Sequence, residues 1–502
     1  MKKIIYIIGI ISLLIVTGIN LIFTAKLDLS EHVIINYNNI FYIISIILVG
    51  ILIYFITRKL DKKLEKSEKE KKIRKNIFIA ALVIYIILSI LWIILVRPGI
   101  GGDSIHVANL AQTFYRGDDN EFLNNKTYAG ITLKEYIEKY PQQIHLAYVY
   151  KLAFKMTYFD VIAILRVVNI IGNLAIIFAI YKICNQLSKQ YKTSTTLPII
   201  LILTCAPLLM LTTFIYGDIP SLGLSLFAVY YIMKYTQSKK IKHIVIAAIL
   251  TAFAYMMRMN SLIFIIATVV YLILNLIKEF NKTEWKKSAI NLIIIAIYLI
   301  ISFVPANLVE NYYFQKYNLD KNKGYPKASF ILMAMEESWR GNGWYNEPIA
   351  EPALHQKENI ENEYKEKIKE RVKYLSKNIK YTADFYTKKL ASMWGENTYS
   401  AFWNNNIGEN KILKNAENPV TFYQKVTLLL ITSSSLIIII QNRKKLSLEV
   451  IFLLTIFIGG FAFHILWEAK SRYIIPYIIA LIPITSIHIS NFKINKKEDV
   501  LK

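Results

Sequence analysis

The sequence predicts an all-α polytopic membrane protein with about 12 transmembrane helices. Three observations carry that reading. The chain has 502 residues, 55% of them hydrophobic, and a mean hydropathy of +0.37. Its apolar residues fall in repeated runs of about 20, the length needed to cross a hydrocarbon core of roughly 30 Å. The short loops between the runs alternate between strongly basic and not, as the positive-inside rule expects.

The runs lie at roughly 3–24, 34–56, 77–96, 161–181, 197–215, 219–233, 243–257, 260–277, 289–308, 422–440, 447–466 and 473–490. The first opens "MKKIIYIIGIISLLIV" like a signal peptide, but it runs on to Thr24 without a small-residue cleavage site, so it reads as a retained span. Residues 1–56 then hold two N-terminal spans and 57–76 a basic loop. Within it, "RKLDKKLEKSEKEKKIRK" (58–75) has ten basic and four acidic residues. Together with "KYTQSKKIK", "KEFNKTEWKK", "QNRKKLS" and the tail 491–502, this loop is expected in the cytoplasm, with both termini. Residues 77–309 form a transmembrane core with an outer loop at 97–160, and 422–490 hold the last spans. Most of the +25 net charge is thus topological. No basic loop is interleaved with stacking aromatics, so nucleic-acid binding is not expected. Cys184 and Cys205 sit in or beside apolar runs, which predicts no disulfide.

The one large outer loop, 310–421, reads as a helical cover without a core of its own. Ile360, Tyr364, Ile368, Val372, Tyr374, Ile379 and Phe385 recur there at helical spacing. One greasy face would let it lie on the spans or on the membrane surface.

The outer loops carry the chemistry. Asp103 in "GGDSIHVANLAQTFY" stands at the head of a surface helix, as a cap, a base or both. His106 lies one turn on, where packing is the plainer role. Asp218 in "YGDIP" is a second acid at a span mouth, and it too could be a cap, with Pro220 in the first turn. In "YPQQIHLAYVY", Tyr140 suits the interface, and Gln142, Gln143 and His145 near the outer end of the next helix are either anchors or sugar-hydroxyl ligands. Arg258, Lys470 and Arg472 break the positive-inside bias from very short outer turns, the last two beside Glu468. Snorkelling to headgroups would explain one such cation; several together want an anion, and arginine's planar fork suits phosphate.

In this order the motifs resemble the GT-C superfamily of integral-membrane glycosyltransferases, which includes protein O-mannosyltransferases and aminoarabinose transferases of lipid A. The resemblance runs from about residue 77 to 490. It rests on Asp103 with its following helix, on Tyr140-Pro141, on "YGDIP", on "RMNSLIFIIA" and on "WEAKSRYIIPYIIALIP". "GNGWYN" and "FYTKKLASMWG" resemble bacterial members, and the Ile, Lys, Asn and Tyr bias fits AT-rich bacterial coding. The chain departs from the family at Ser104, where a second acid often stands, and at Gln142-Gln143, where asparagines are common.

The resemblance implies a GT-C fold, with outer juxtamembrane helices and loop 310–421 over the active site. It implies a multi-pass plasma-membrane enzyme with its site on the outer face. The donor would be a polyprenyl-phosphate sugar, and the acceptor a cell-envelope glycan, lipid or protein. The transfer, of a hexose or a pentose, would invert the anomeric centre. Asp103 would be the base and Asp218 a second catalytic acid. Arg258 and Arg472, helped by Lys470, would hold the donor phosphate. His106, Tyr140, Gln142 and Glu468 would hold sugar or acceptor. Some relatives use a divalent metal, Mg or Mn, but no residues here have clear ligand spacing. Two other classes compete. A lipid or sugar transporter would place its charges at mid-membrane, where Arg166 is the main candidate. A polysaccharide polymerase or ligase would carry more arginines in the large loop than Arg340 and Arg371. A purely structural membrane protein leaves Arg258 and Arg472 without a purpose.

Overall fold

The computed structural model describes residues 2–67, 69–96, 103–124, 126, 130–154, 161–279, 285–355, 359–405, 411–443 and 445–489. Residues 97–102, before Asp103, and the tail from 490 lie outside them.

Helix α1 (Lys2–Ile22) ends in a two-stranded antiparallel hairpin, β1 (Phe23–Leu27) and β2 (Val33–Tyr37), in register Phe23↔Tyr37 to Leu27↔Val33. The second apolar run therefore begins its helix not at 34 but at Ile40, in α2 (Ile40–Glu65). Asn39 sets that start by accepting from the Tyr42 amide at 2.9 Å. α3 (Glu70–Val96) leads to four short helices: α4 (Asp103–Arg116), α5 (Asp119–Asn124), α6 (Leu133–Lys139) and α7 (Gln142–Phe154). α8 (Val161–Leu187), the pair α9 (Thr196–Leu203) and α10 (Ala206–Met210), α11 (Asp218–Ser238), α12 (Ile241–Met257), α13 (Ser261–Glu279) and α14 (Trp285–Lys316) follow. The large loop folds as α15 (Lys327–Met335), the short hairpin β3 (Glu337–Ser338) and β4 (Gly341–Asn342), α16 (Glu347–Leu354), α17 (Ile360–Lys377), α18 (Ile379–Trp394) and α19 (Ala401–Asn404). α20 (Lys411–Gln441), α21 (Leu448–Leu466) and α22 (Ile475–Leu481) complete the bundle.

Each expected run is largely helical, but only eight helices among the described residues are long and apolar enough to cross a membrane. The pair from Thr196 to Thr213, bent by 47°, makes a ninth if it is one span. α12 is short at 17 residues, α11 fails on composition although it has 21, and the last run is broken into α22 flanked by two 3₁₀ turns. The count of about 12 therefore stands only as twelve helical runs. Leu48, Leu52 and Phe55 on α2, and Ile84, Ile87 and Leu91 on α3, face outward. Such a belt is what lipid tails would cover.

The loops sort into two ends. At one, Asp61, Arg74 and Thr196 meet, as do Glu65 with Lys192 and Lys239 with Glu279. At the other, the β1–β2 hairpin meets the large loop, where Ala25 donates to the Gly395 carbonyl at 3.0 Å and Val33 to that of Arg340 at 2.8 Å. The loop does hold a small core of its own, built on Leu332, Met333, Ala350 and Tyr364, which the sequence reading did not expect. Of its seven spaced apolar positions, Ile360, Tyr364 and Phe385 are buried; Val372, Tyr374 and Ile379 are exposed. α18 instead docks by Trp394 and Met393 into the main core of the bundle. Cys184 and Cys205 are both free and buried.

Candidate active site

The break after α9 builds the centre of the site. Pro207 opens α10, and the chain turns into extended backbone at Phe214. A broken helix at membrane depth leaves carbonyls that must find donors. Asn169 of α8 donates to the carbonyls of Thr212 at 3.0 Å and Phe214 at 2.9 Å. Asn173 donates to that of Leu208 at 3.0 Å, and both Trp92 and Asn405 to that of Met210 at 3.1 Å. So fixed, the segment presents Phe214, Tyr216, Gly217 and Asp218 in succession. Gly217 has φ +80° and lies so close to the end of α12 that a Cβ there would sit 2.7 Å from the Met257 carbonyl. That close approach sets Asp218 beside Arg258, the residue that ends α12.

Asp218 is where distant parts of the chain converge. Its Oδ1 lies 3.3 Å from Arg258 Nε and 3.7 Å from Arg472 Nε. Arg258 lies over the Tyr216 ring at 4.5 Å, and Arg472 over that of Phe214 at 4.2 Å. Arg472 also donates to Asn404 at 3.3 Å. Tyr216 donates to Asp103 Oδ2 at 3.0 Å and receives from Gln143 Nε2 at 2.7 Å. Asp103 is exposed in the first turn of α4, while Arg472 is only 5% exposed in its side chain. Burial pulls the Arg258 pKa down, but Asp218, Tyr216, Tyr473 and Asp103 more than offset it, so the net shift is upward and the guanidinium stays charged.

Within about four residues of Arg472 stand Glu468 and Lys470. Lys470, expected beside the arginines, is paired with Glu31 of the β1–β2 turn at 2.8 Å. Glu468 is buried; burial pushes its carboxyl up to about 7, and Glu31 and Asp103 add to this while Lys470 and Arg340 oppose it. Behind it, Gly343 of "GNGWYN" has φ +75°, and its carbonyl receives the Ala469 amide at 2.7 Å. The Lys389 amine there donates to the carbonyls of Ala334, Ile465 and Trp467, each at 2.9 Å, and so clamps the turn.

The remaining expected residues stand around this centre. His106 is buried against the Tyr136 ring at 4.6 Å, and burial lowers its pKa against the pull of Asp103. Tyr140 stacks on Tyr325 at 5.3 Å. Gln142 is half-buried; the glutamine that reaches the centre is its neighbour Gln143. The sequence reading missed Tyr216, Glu31, Lys389 and Asn404. Tyr216 lay inside the quoted "YGDIP", but a tyrosine at a membrane interface is too common to single out. Among the described residues no three His, Cys, Asp or Glu side chains could hold one metal ion. Asp218 faces two guanidinium groups instead.

Residues 142–304 match the family model of dolichyl-phosphate-mannose-protein mannosyltransferase. Over that stretch, about a third of the chain, the protein is similar to that family. The matched residues include α7, α8, the broken pair, Asp218 and Arg258, but not Asp103 or Arg472. Two solved structures of the Archaeoglobus fulgidus oligosaccharyltransferase are similar in outline. One is archaeal AglB with an inhibitory peptide and a dolichol-phosphate, at 12% identity and TM-score 0.43 over 84% of this chain and 50% of that one. The other is an apo form, at 13% identity and TM-score 0.43, over 82% and 50%. The chain thus spans about half the length of these structures. No curated protein matches it.

Proposed function

We propose that this chain transfers a sugar from a polyprenyl-phosphate donor to an acceptor hydroxyl on the outer face of the membrane, inverting the anomeric centre. The observation that carries the reading is the shared carboxylate of Asp218 between Arg258 and Arg472, joined through Tyr216 to Asp103. The acceptor oxygen attacks the anomeric carbon while the bond from that carbon to the phosphate oxygen breaks. The bonding pair leaves with the phosphate, which passes from a singly charged diester to a monoester of higher negative charge. Arg258 and Arg472 meet that rising charge, and their net charge with Asp218 is one positive unit, suited to the diester before it reacts. Asp103 takes the proton of the acceptor hydroxyl. Its exposure leaves room for the acceptor, and its hydrogen bond from Tyr216 fixes its place relative to the arginines. Glu468, Tyr140 and Gln142 line the sugar and acceptor side, with His106 packed beneath.

The test uses the purified full-length protein in detergent. It is given a radiolabelled prenyl-phosphate hexose or pentose and an envelope extract from a strain lacking the gene. Label moving into the extract, with free prenyl phosphate released, supports the reading. Asp103→Asn keeps size and capping ability; it should slow transfer by about 10²–10⁴. Near-normal transfer by the folded variant would reduce Asp103 to a helix cap.

A further inference from the structure

The β1–β2 turn supplies a buried acid that the reaction above does not use. Glu31 is 3% exposed and stands in the left-handed region at φ 68°. Both features cost free energy, since a side chain strains there and a buried carboxylate loses its water. Its carboxylate is held between Lys470 Nζ and the Arg340 guanidinium. Arg340 is also engaged by Glu347, at 2.8 Å from Nη2 and 3.2 Å from Nε. Lys470 has no such second carboxylate among the described ion pairs, and its ring contact is Trp403 at 5.4 Å.

The charges therefore form two groups. Arg258 and Arg472 share Asp218, with one positive unit left over. Lys470 and Arg340 share Glu31, and Arg340 also has Glu347, which leaves no surplus. The two groups adjoin, because Arg472 and Lys470 are two residues apart and both act electrostatically on Tyr473. A monophosphate-linked lipid brings one phosphate to the first group. A diphosphate-linked lipid brings a second phosphate and a second negative charge, and the next cation along is Lys470, which Glu31 occupies.

Resting on the phosphate site described above, we propose that Glu31 is a specificity-determining residue that withholds Lys470 from the donor and so selects a lipid monophosphate over a lipid diphosphate. Discrimination of this kind works by denying the wrong ligand its counter-charge. The hairpin is suited to the task because it is tied to the large loop by the Val33–Arg340 hydrogen bond, which keeps Glu31 from swinging away.

The test measures binding of geranylgeranyl phosphate and geranylgeranyl diphosphate to the purified full-length protein in detergent. Wild type should favour the monophosphate by about tenfold, the effect of one well-placed counter-charge. Glu31→Gln should erase most of that ratio, by tightening the diphosphate rather than by weakening the monophosphate. Glu31→Asp keeps the charge but retracts it by one methylene, so its ratio should fall between the two. Glu31→Gln combined with Lys470→Gln should restore the preference. Wild-type ratios in both folded single variants would overturn the proposal, as would a double variant that still accepts diphosphate. Wild type binding neither lipid would overturn the phosphate site itself and this proposal with it. Monophosphate binding that Arg258→Ala abolishes would keep the phosphate site standing whatever the fate of Glu31.

Discussion

At the scale of single residues, Arg472 separates phosphate binding from lipid anchoring. An arginine that snorkels must reach headgroups, but the Arg472 side chain is 5% exposed and is held by Asn404, Asp218 and the Phe214 ring. Lysine keeps the charge and loses the fork. Arg472→Lys should weaken donor binding and slow transfer by about tenfold, and Arg472→Ala by more. Equal activity of the lysine variant would mean that any point charge serves. Glu468 gives a pH test. Its folded pKa of about 7 lies above the usual 4.5, so the fold favours its protonated form. The associated stability is complete below about 4.5 and is lost as pH rises through 7, up to roughly 3 kcal/mol. The groups that set this are Lys470, Glu31, Asp103 and Arg340, with Lys389 behind. Glu468→Gln should therefore gain thermal stability over wild type at pH 8 and little at pH 5. Equal differences at both pH values would show Glu468 ionised throughout and held by Lys470. These charged residues were legible in the sequence because each defied a rule: cations outside, acids at span mouths. Glu31 defied none. In "DLSEHV" it is one more polar residue in a turn, and only the fold brings it to Lys470.

At the scale of elements, the broken pair α9–α10 and the turn into α11 decide the geometry. Gly217 makes the turn possible. An alanine there would strain at φ +80° and would crowd both the Met257 carbonyl and the Leu146 side chain. Gly217→Ala should cost roughly 1–3 kcal/mol of stability. It should cost more in activity, because the strain is relieved by moving Asp218 away from Arg258. A thermal shift together with a transfer assay checks this, and full activity in a destabilised variant would free the turn of any catalytic role. The β1–β2 hairpin shows why elements were harder to read than residues. "FTAKL" and "VIINY" adjoin runs of Ile and Leu, and alternation over five residues is lost against a greasy background. The break at Thr204–Cys205 was hidden for the same reason: apart from Thr204 and Pro207, the residues next to it continue the apolar run.

At the scale of the molecule, the two sets of loops predict which surfaces are accessible from outside. Single cysteines at positions 65 and 365 lie in loops of opposite sets, in the Glu65–Lys192 cluster and on α17. On intact cells an impermeant thiol reagent should label the second and not the first. Labelling at 65 would invert the orientation and put the arginines on the cytoplasmic side. The architecture was legible at this scale because a bilayer imposes length and charge asymmetry on every span. The number of crossings was not, since α11 and the segment around α22 are largely shielded by neighbours and need not be long or uniformly greasy, and α12 is apolar but short. The small core of the large loop was also hidden, because Leu332, Ala350 and Tyr364 meet only after three helices fold back on one another.

The partnership of Glu31 with Arg340 also orders events in time. The two residues are 309 positions apart. Synthesis at about 5–20 residues per second separates their appearance by roughly 15–60 seconds, and Lys470 comes later still. Throughout that interval the first-made acid has no counter-charge and must stay in water at the membrane surface. The hairpin that is born first is therefore among the last parts to settle. A chain halted before residue 340 would leave this acid without its partner arginine.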